Sequence, residues 1–209
     1  MTYSESDYVV DGMSGLEHKV KRLFDIGVSS VSLVVFSPLF LYCYLRVKLE
    51  DGGPVIFKQE RIGRHGRPFN IYKFRSMRVD AEKNGPALYQ RDTEDRMTRA
   101  GRFLREHHLD ELPQMWNVLK GDMSFVGYRP ERLFYIKQIM ENDARYELLY
   151  QSRPGITSMA TLYNGYTDTM EKMLKRLEMD LYYLEHGSLM LDCKILGLTF
   201  LKIVFGKVF

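Results

Sequence analysis

One apolar stretch, from Leu23 to Leu45, restricts what this chain of 209 residues can fold into more than any other feature of its sequence. Only Asp25, Gly27, a few serines and Pro38 interrupt it. As a straight helix, a stretch of this length would extend about 35 Å, which is enough to cross a hydrocarbon core of roughly 30 Å. Hydropathy alone therefore allows a transmembrane helix, and a straight spanning helix is the simplest interpretation.

A proline inside this stretch favours a broken helix instead. Pro38 removes a backbone N–H donor, and its ring pushes against the carbonyl group four residues earlier, that of Val34. The hydroxyl group of Ser37 can donate a hydrogen bond to an upstream carbonyl and so ease the bend. We therefore expect two half-helices that meet at Ser37-Pro38.

The charges beside the stretch favour a helix that returns to the side from which it entered. A spanning helix usually carries more Lys and Arg at one end. Here both ends are basic, with Lys19, Lys21 and Arg22 before the stretch and Arg46 and Lys48 after it. The sequence thus predicts a polar N-terminal tail over residues 1–18, a re-entrant membrane helix over residues 19–48 and one further domain over residues 49–209.

The pattern after the membrane helix predicts an α+β domain that is mostly helical. Pro54–Gln59 and Phe69–Phe74 are rich in Val, Ile, Phe and Tyr, and Gly63–Pro68 between them has the composition of a hairpin loop. We therefore predict a small β-hairpin. Residues 76–95 are polar and broken by Gly85-Pro86, which predicts a surface loop with a short helix.

Two helical segments are predicted next. Residues 96–120 have a helical pattern that is interrupted at Pro113. Proline is tolerated in the first turn of a helix, so we expect a new helix to open near Asp110. Residues 131–149 predict another helix.

The C-terminal third combines a loop with two helical patterns. Pro154-Gly155 opens a predicted loop that runs to Asp168, and Glu171 follows at the spacing of a capping box. Leu189–Phe209 is apolar with lysines along it, so it either lies in the membrane interface or forms a buried C-terminal helix. The helix after Asp168 carries an apolar stripe that is typical of a core: Met170, Met173, Leu174, Leu177, Leu181 and Leu184.

Charge and cysteine content limit the classes of function. The net charge is +3, but basic residues crowd the segments 61–78 and 96–105. Such clusters suit phosphates, nucleic acid or acidic lipid headgroups. Cys43 and Cys193 are too few for a disulfide framework and lack the spacing of metal ligands, which indicates a reducing compartment.

Two adjacent carboxylates, Asp110 and Glu111, are the clearest candidates for chemistry. Neighbouring side chains on a helix point about 100° apart, so both can reach one cation only at a helix end or in a bent segment. If Asp110 opens the helix that contains Pro113, the helix dipole favours its ionised form. An ionised Asp can attack phosphorus, and a neighbouring Glu can hold Mg²⁺ together with phosphate oxygens.

Basic residues accompany this pair in an ordered way. Phosphoryl transfer needs little from a protein beyond positioning and charge neutralisation, so one Asp, one metal ion and several basic side chains would suffice. Each of these residues taken alone is typical of a solvated surface. They are Arg99, Arg102 and Arg105 at a spacing of three residues, Lys73 and Arg75 at the end of the second strand, and Arg129 and Arg153 before prolines.

Several stretches together make the chain recognisable. They are Lys21-Arg22-Leu23-Phe24-Asp25, Ser37-Pro38, Tyr72–Met77, Leu109–Gln114, Asn117–Gly127, Arg129-Pro130, Arg153–Thr157 and Asp180–Tyr183. In this order, over roughly residues 18–205, the chain resembles the monotopic phosphoglycosyl transferases, a bacterial sugar transferase family.

The resemblance implies a fold, a location and a reaction. It implies a re-entrant helix broken at Ser37-Pro38, amphipathic interfacial helices, and a catalytic domain on the cytoplasmic side of the bacterial inner membrane. Asp110 would attack the phosphate attached to the sugar of a UDP-sugar and expel UMP. Polyprenyl phosphate would then take the sugar phosphate from Asp110. Glu111 and Asp110 together would bind Mg²⁺. This reaction would be the first membrane step of glycan assembly.

The resemblance also implies which residues bind substrate, and it leaves the sugar open. Positions that match the family's phosphate-contacting or nucleotide-contacting residues are Lys73, Arg75, Arg105, Arg129, Arg153 and Asp180. The chain departs from the family at Tyr128, where proline is usual, and at Ser158-Met159, where Gly-Trp is usual. The loop Ser158–Tyr166 therefore carries no inference about the sugar. Membrane lipid is an expected partner, and an oligomer is possible.

Two functions of other classes remain open on sequence grounds. A catalytically silent, membrane-anchored scaffold would keep the fold, but it has no physical need for clustered carboxylates such as Asp110 and Glu111. A nucleic-acid-binding module would use the basic segments, but no recognition-helix or RNA-binding motif accompanies them. We therefore favour the enzyme and expect no nucleic-acid partner.

Overall fold

A computed structural model describes residues 10–81, 96–165 and 167–205 of the chain. Most of the predicted loop and short helix of residues 76–95 lies outside these ranges. In the described parts the mostly helical α+β class and the small hairpin are confirmed. The elements are α1 Gly15–Val35, α2 Ser37–Asp51, β1 Ile56–Ile62, β2 Pro68–Phe74, α3 Arg99–Glu106, α4 Gln114–Lys120, β3 Ser124–Val126, α5 Leu133–Asn142, β4 Gly155–Thr157, α6 Met159–Tyr163, α7 Met170–His186 and α8 Leu189–Val204.

The apolar stretch forms two helices, and the straight spanning helix is wrong. α1 and α2 meet at Phe36 and are bent by 63°. Ser37 Oγ donates a hydrogen bond of 2.8 Å to the carbonyl of Val34, as its position beside Pro38 predicts. Among the described helices no single one is long and apolar enough to cross a membrane, whereas this bent pair passes that test together.

The second half-helix packs on the rest of the molecule. Cys43 and Val47 on α2 are buried against Phe74 of β2 and Leu104 of α3. The carboxylate of Glu50 accepts hydrogen bonds from the first backbone N–H groups of α3, an arrangement that stabilises a helix N-terminus. α2 is therefore a structural part of the domain.

The predicted hairpin is present and slightly longer than expected. β1 and β2 are antiparallel, with Ile56 paired to Phe74 and Ile62 paired to Pro68. A short 3-10 turn, Arg64–Gly66, connects them.

A second, parallel strand pair was not predicted. β3 and β4 pair at Ser124 with Gly155 and at Val126 with Thr157. The predicted loop from Pro154 to Asp168 is thus wrong, because it contains β4 and α6. Gly155 allows β4 to approach the backbone that follows β3, since a Cβ atom at this position would lie 2.1 Å from the backbone nitrogen of Gly127.

Three predicted helix boundaries are corrected. The segment 96–120 is split into α3 and α4 by a 3-10 turn, Leu109–Glu111. The segment 131–149 contains α5 and then a 3-10 helix, Ala144–Gln151. The N-cap of α7 is Thr169, whose hydroxyl accepts the backbone N–H of Lys172. Asp168 instead pairs with the Lys172 ammonium group, so the predicted capping box is wrong.

The predicted core stripe of α7 is confirmed. Met173, Leu177 and Leu181 are buried against α5 and the 3-10 helix that follows it. α8 is not a buried helix: its buried residues are Asp192 and Ile195, and its C-terminal half exposes large apolar side chains. Lys202 on α8 donates to the carbonyl of Leu162.

Candidate active site

Asp110 and Glu111 lie on a single 3-10 turn between α3 and α4. His108 before this turn has a φ of 54°, a left-handed conformation that costs a non-glycine residue roughly 1 kcal/mol or more and that recurs at functional sites. The expectation that Asp110 opens the helix is wrong, because α4 begins at Gln114. Two adjacent carboxylates can also reach one ligand when they lie in a bent segment, and the 3-10 turn is such a segment.

Glu111 is held by a cation from the hairpin. Lys73 on β2 donates to Glu111 Oε1 at 2.5 Å. Burial acts to raise the pKa of Glu111, but the charges of Lys73 and Arg129 outweigh it and bring that pKa well below its usual range. Glu111 is therefore ionised, and 29% of its side-chain surface remains exposed.

Asp110 differs from its neighbour in burial and in bonding. Its exposed fraction is 7%. Burial raises its pKa, and the nearby cations Lys73 and Arg105 oppose that rise. Among the described residues none donates a hydrogen bond to its carboxylate. The carboxylate thus lies between the cations Lys73 and Arg105 and the anion Glu111, and no described residue bonds to it, which leaves it available as a nucleophile.

Arg105 in the last turn of α3 is the arginine of the predicted stripe that acts on Asp110. Its Nε donates to Ser76 Oγ at 3.0 Å. Arg99 and Arg102 are exposed on the same helix. Sequence analysis missed Ser76 as a positioning residue, although it lies in the quoted stretch Tyr72–Met77.

Arg129 connects this pair of carboxylates to a second charged cluster. Its charge contributes to the lowered pKa of Glu111. Its Nε lies 3.9 Å from Glu131 Oε1, and 41% of its side chain is exposed. Glu131 also pairs with Arg176 at 3.1 Å and with Arg61 at 3.3 Å. Arg129 is thus seated on a buried ion-pair network while its outer part remains accessible.

Asp180 belongs to the support of Arg129. It is 3% exposed, and the nearby backbone N–H of Arg129 acts to lower its pKa. Burial raises its pKa to about 7, against the opposing charge of Arg176. A side chain so covered is suited to positioning Arg129, and a direct contact with substrate stays a prediction.

Two further predicted residues, Arg75 and Arg153, lie elsewhere. Arg75 is buried under Gly53 and pairs with Asp51. Arg153 Nε donates to the carbonyl of Gly121 at 3.0 Å, at the far end of α4. No contact among the described residues joins either arginine to the two carboxylates, so their role in binding stays a prediction.

Asn117 is a positioning residue that sequence analysis missed. It is fully buried on α4. Its Oδ1 accepts the backbone N–H of Tyr72 at 3.0 Å, and its Nδ2 donates to the carbonyl of Asn70 at 2.7 Å. These bonds hold α4 against β2 next to Lys73. A polar residue on the inward face of a short helix was the available signal.

The two carboxylates fit Mg²⁺ only as part of a shared ligand set. Among the described residues there is no group of three or more His, Cys, Asp or Glu side chains that could hold a metal ion. Mg²⁺ commonly takes one or two carboxylates, with substrate phosphates and water as its other ligands. Asp110 and Glu111 on one bent turn satisfy that smaller requirement.

The site is thus a turn with two carboxylates among basic side chains, in a domain joined to a bent apolar helix pair. Residues 16–206 match the family described as bacterial sugar transferase. The chain belongs to this family.

Curated relatives share about two fifths of their residues with this chain. A UDP-glucose:undecaprenyl-phosphate glucose-1-phosphate transferase of Klebsiella pneumoniae is 43% identical over 192 residues, which cover 91% of this chain and 41% of that protein. A UDP-N-acetylgalactosamine-undecaprenyl-phosphate N-acetylgalactosaminephosphotransferase of Aeromonas hydrophila is 40% identical over 187 residues, covering 90% and 44%. The sugar transferase EpsL of Bacillus subtilis is 40% identical over 188 residues, covering 90% and 89%.

These relatives differ in length and in the sugar that their names specify. The chain spans about two fifths of the Klebsiella and Aeromonas proteins and most of EpsL. The names of the first two specify different sugars, although both are similar to this chain to almost the same degree.

Proposed function

We propose that this protein transfers a sugar-1-phosphate from a UDP-sugar to polyprenyl phosphate and releases UMP. The observation that carries the proposal is the state of Asp110, a buried carboxylate with no described hydrogen-bond donor, surrounded by the charges of Lys73 and Arg105. A solvated or purely structural carboxylate would be exposed or bonded. Membership of the bacterial sugar transferase family and the names of the relatives support the same reaction.

In the first half of the reaction, a carboxylate oxygen of Asp110 forms a bond to the phosphorus that carries the sugar. The bond from that phosphorus to the bridging oxygen of the diphosphate breaks, and UMP leaves with this oxygen. The product is an aspartyl-phosphosugar on the protein. Arg105 and Arg129 would neutralise the charge that moves onto the leaving group.

In the second half, an oxygen of polyprenyl phosphate bonds to the same phosphorus. The bond between Asp110 and phosphorus breaks, and the carboxylate is restored. The lipid leaves as a polyprenyl diphosphate sugar. The nearby cations Lys73 and Arg105 would stabilise the Asp110 carboxylate as it leaves phosphorus.

Mg²⁺ is part of this proposal, with Glu111 and Asp110 as its protein ligands. When bound, it would neutralise charge on the substrate phosphates. Glu111 suits this role because it is ionised and accessible. Lys73, its partner in the structure, neutralises Glu111 in the free protein and would compete with a cation for it.

The same proposal places the protein on one leaflet of the bacterial inner membrane with its active site facing the cytoplasm. The bend between α1 and α2 supports re-entry, because the second half-helix turns back to pack on α3 and β2. α8 would lie in the interface. Large apolar side chains are exposed on all three helices, among them Leu23, Val31, Val34, Leu41, Leu45, Leu49, Phe200, Leu201 and Val204.

The test uses purified protein, Mg²⁺, undecaprenyl phosphate and a panel of UDP-sugars, with UMP release and lipid-linked sugar as readouts. Intact-mass analysis with a UDP-sugar and no acceptor should detect the mass of one sugar phosphate on the protein. Asp110→Asn should lose both turnover and the added mass, since the amide keeps the shape and removes the nucleophile. Asp168→Asn, at an exposed ion pair on the protein surface, is the matched control and should retain both.

Each outcome has a separate meaning. UMP release that survives in Asp110→Asn would overturn the role of Asp110. A folded wild-type protein that releases no UMP with any UDP-sugar would favour the membrane-anchored scaffold over the enzyme.

A further inference from the structure

The stretch Lys21–Asp25 has no part in the reaction proposed above, yet it joins the membrane helix to four other elements. Three of its side chains point into the domain. Arg22 contacts α4, Asp25 contacts β3, and Lys21 contacts α7 and α8. Sequence analysis interpreted Lys21 and Arg22 as a basic flank of the membrane stretch, whereas in the structure both are engaged by protein groups.

Arg22 caps the C-terminus of α4. Its Nη1 donates to the carbonyl of Val118 at 2.6 Å, and its Nη2 donates to the carbonyl of Leu119 at 2.7 Å. The last carbonyls of a helix have no partners within the helix, and the helix dipole favours a cation there. The planar fork of a guanidinium group reaches two adjacent oxygens at once, which the single ammonium group of lysine does not reproduce.

Asp25, one turn after Arg22 on α1, bonds this helix to β3. Although it lies inside the apolar stretch, its exposed fraction is 1%. It accepts hydrogen bonds from Ser124 Oγ and from the backbone N–H of Phe125, both at 3.1 Å. A carboxylate in a membrane segment is costly unless it faces protein and is bonded there. The polar face of α1 is therefore built to contact the domain.

These contacts act on the helix that follows the Asp110–Glu111 turn. α4 spans only Gln114–Lys120, so Leu112 and Pro113 alone separate the turn from its first residue, and the Arg22 contacts lie in its last turn. Asn117 holds the middle of the same helix to β2. α4 is thus fixed from β2 on one side and from the membrane helix on the other.

We propose that Arg22 is a positioning residue for the Asp110–Glu111 turn and that it seats α4 from the membrane helix. Turnover then depends on how α1 is seated as well as on the residues at the site. This inference rests on the proposed function for its kinetic consequence, but the seating of α4 itself does not. The competing explanation is that Arg22 binds lipid headgroups and acts only as an anchor.

Arg22→Lys separates the two explanations, because it keeps the positive charge and removes the fork. We expect turnover in UMP release to fall about tenfold or more, which corresponds to about 1.4 kcal/mol in the activation free energy. The KM for the UDP-sugar should change by less than about twofold, since Arg22 does not belong to the substrate-binding residues. Co-flotation with vesicles of anionic lipid should be unchanged, and amides of α4 should exchange hydrogen faster.

Lys19→Gln is the matched control. Lys19 is exposed on α1 next to the same apolar stretch, so its replacement removes a flanking charge without touching α4. It should leave turnover and exchange in α4 at wild-type values. Should Arg22→Lys fail to fold by circular dichroism, Arg22→Gln replaces it, and the expectation of faster α4 exchange and slower turnover is the same.

The results that overturn the proposal are distinct. Wild-type turnover and wild-type α4 exchange in Arg22→Lys would remove the positioning role, and loss of vesicle binding with unchanged α4 exchange would assign Arg22 to lipid. If the wild-type protein releases no UMP, the proposed function fails. Exchange in α4 still decides whether Arg22 seats that helix.

Discussion

Two pairs of carboxylates lie among cationic side chains in this protein, Asp110 with Glu111 and Asp180 with Glu131. In each pair one member is bonded directly to a cation, Glu111 to a lysine and Glu131 to arginines. The other member is buried and has a raised pKa. The two regions therefore share one electrostatic pattern.

They differ in access. Asp180 is 3% exposed and lies beneath Arg129, and the Glu131 beside it is largely covered as well. Asp110 has no donor among the described residues, and the Glu111 beside it is partly open. The same arrangement of charges therefore suits chemistry where a ligand can reach it and suits positioning where it is covered.

The largest difference between the pairs should appear in turnover. Asp110→Asn is expected to lower UMP release on the order of a thousandfold or more, because a nucleophile has no substitute. Asp180→Asn should lower it only about tenfold, because the amide keeps the shape that supports Arg129. The measurement is the rate of UMP release for both variants at saturating UDP-sugar. Equal losses in the two variants would erase the distinction drawn here.

A second difference should appear in metal dependence. Glu111→Gln is expected to raise the Mg²⁺ concentration for half-maximal rate by about tenfold or more, because it removes a charged ligand and releases Lys73. Glu131, the counterpart of Glu111 in the other pair, offers the control. Glu131→Gln should leave the Mg²⁺ midpoint unchanged even where it slows turnover. A titration of rate against Mg²⁺ measures both, and an unchanged midpoint in Glu111→Gln contradicts the ligand role.

The smallest effect concerns stability and pH. The pKa of Asp180 is raised from its ordinary value of 3.8 to about 7 by burial. Between these pH values the folded state holds a proton that the unfolded state releases, so the free energy of unfolding should fall as pH rises from about 4 to about 7. Asp180→Asn should flatten this slope in denaturant titrations at a series of pH values.

Asp168 provides a control of opposite sign for that measurement. Its hydrogen bond to Lys172 lowers its pKa, so it stabilises the fold above the ordinary value and Asp168→Asn should make the downward slope slightly steeper at the acid end. A slope that persists in Asp180→Asn would show that another group binds the proton.

Local chemistry allowed part of this structure to be predicted. Pro38 and Ser37 fix the break because their effects act within one helical turn. The hairpin follows from two β-rich segments around a glycine-rich loop. Asp110 and Glu111 could also be named as candidates for chemistry from the sequence, because the order of the quoted stretches around them is specific.

The rest depends on contacts between distant residues. β3 and β4 are three residues long and pair across a wide separation in sequence, so periodicity gives no signal for them. The left-handed turn at His108 replaces the expected helix start through a conformation that sequence patterns rarely specify in a non-glycine residue. The seats of Arg75, Asn117 and Arg22 follow from tertiary packing alone.

The packing of α2 has a practical consequence for how the protein can be prepared. Cys43 and Val47 fill one side of the core around Phe74 and Leu104. Cutting the chain after residue 51 to obtain a fragment without its membrane segment would leave that apolar surface facing water and remove the Glu50 cap from α3. We therefore expect the domain after residue 51 to remain folded in detergent or nanodisc preparations that retain both half-helices.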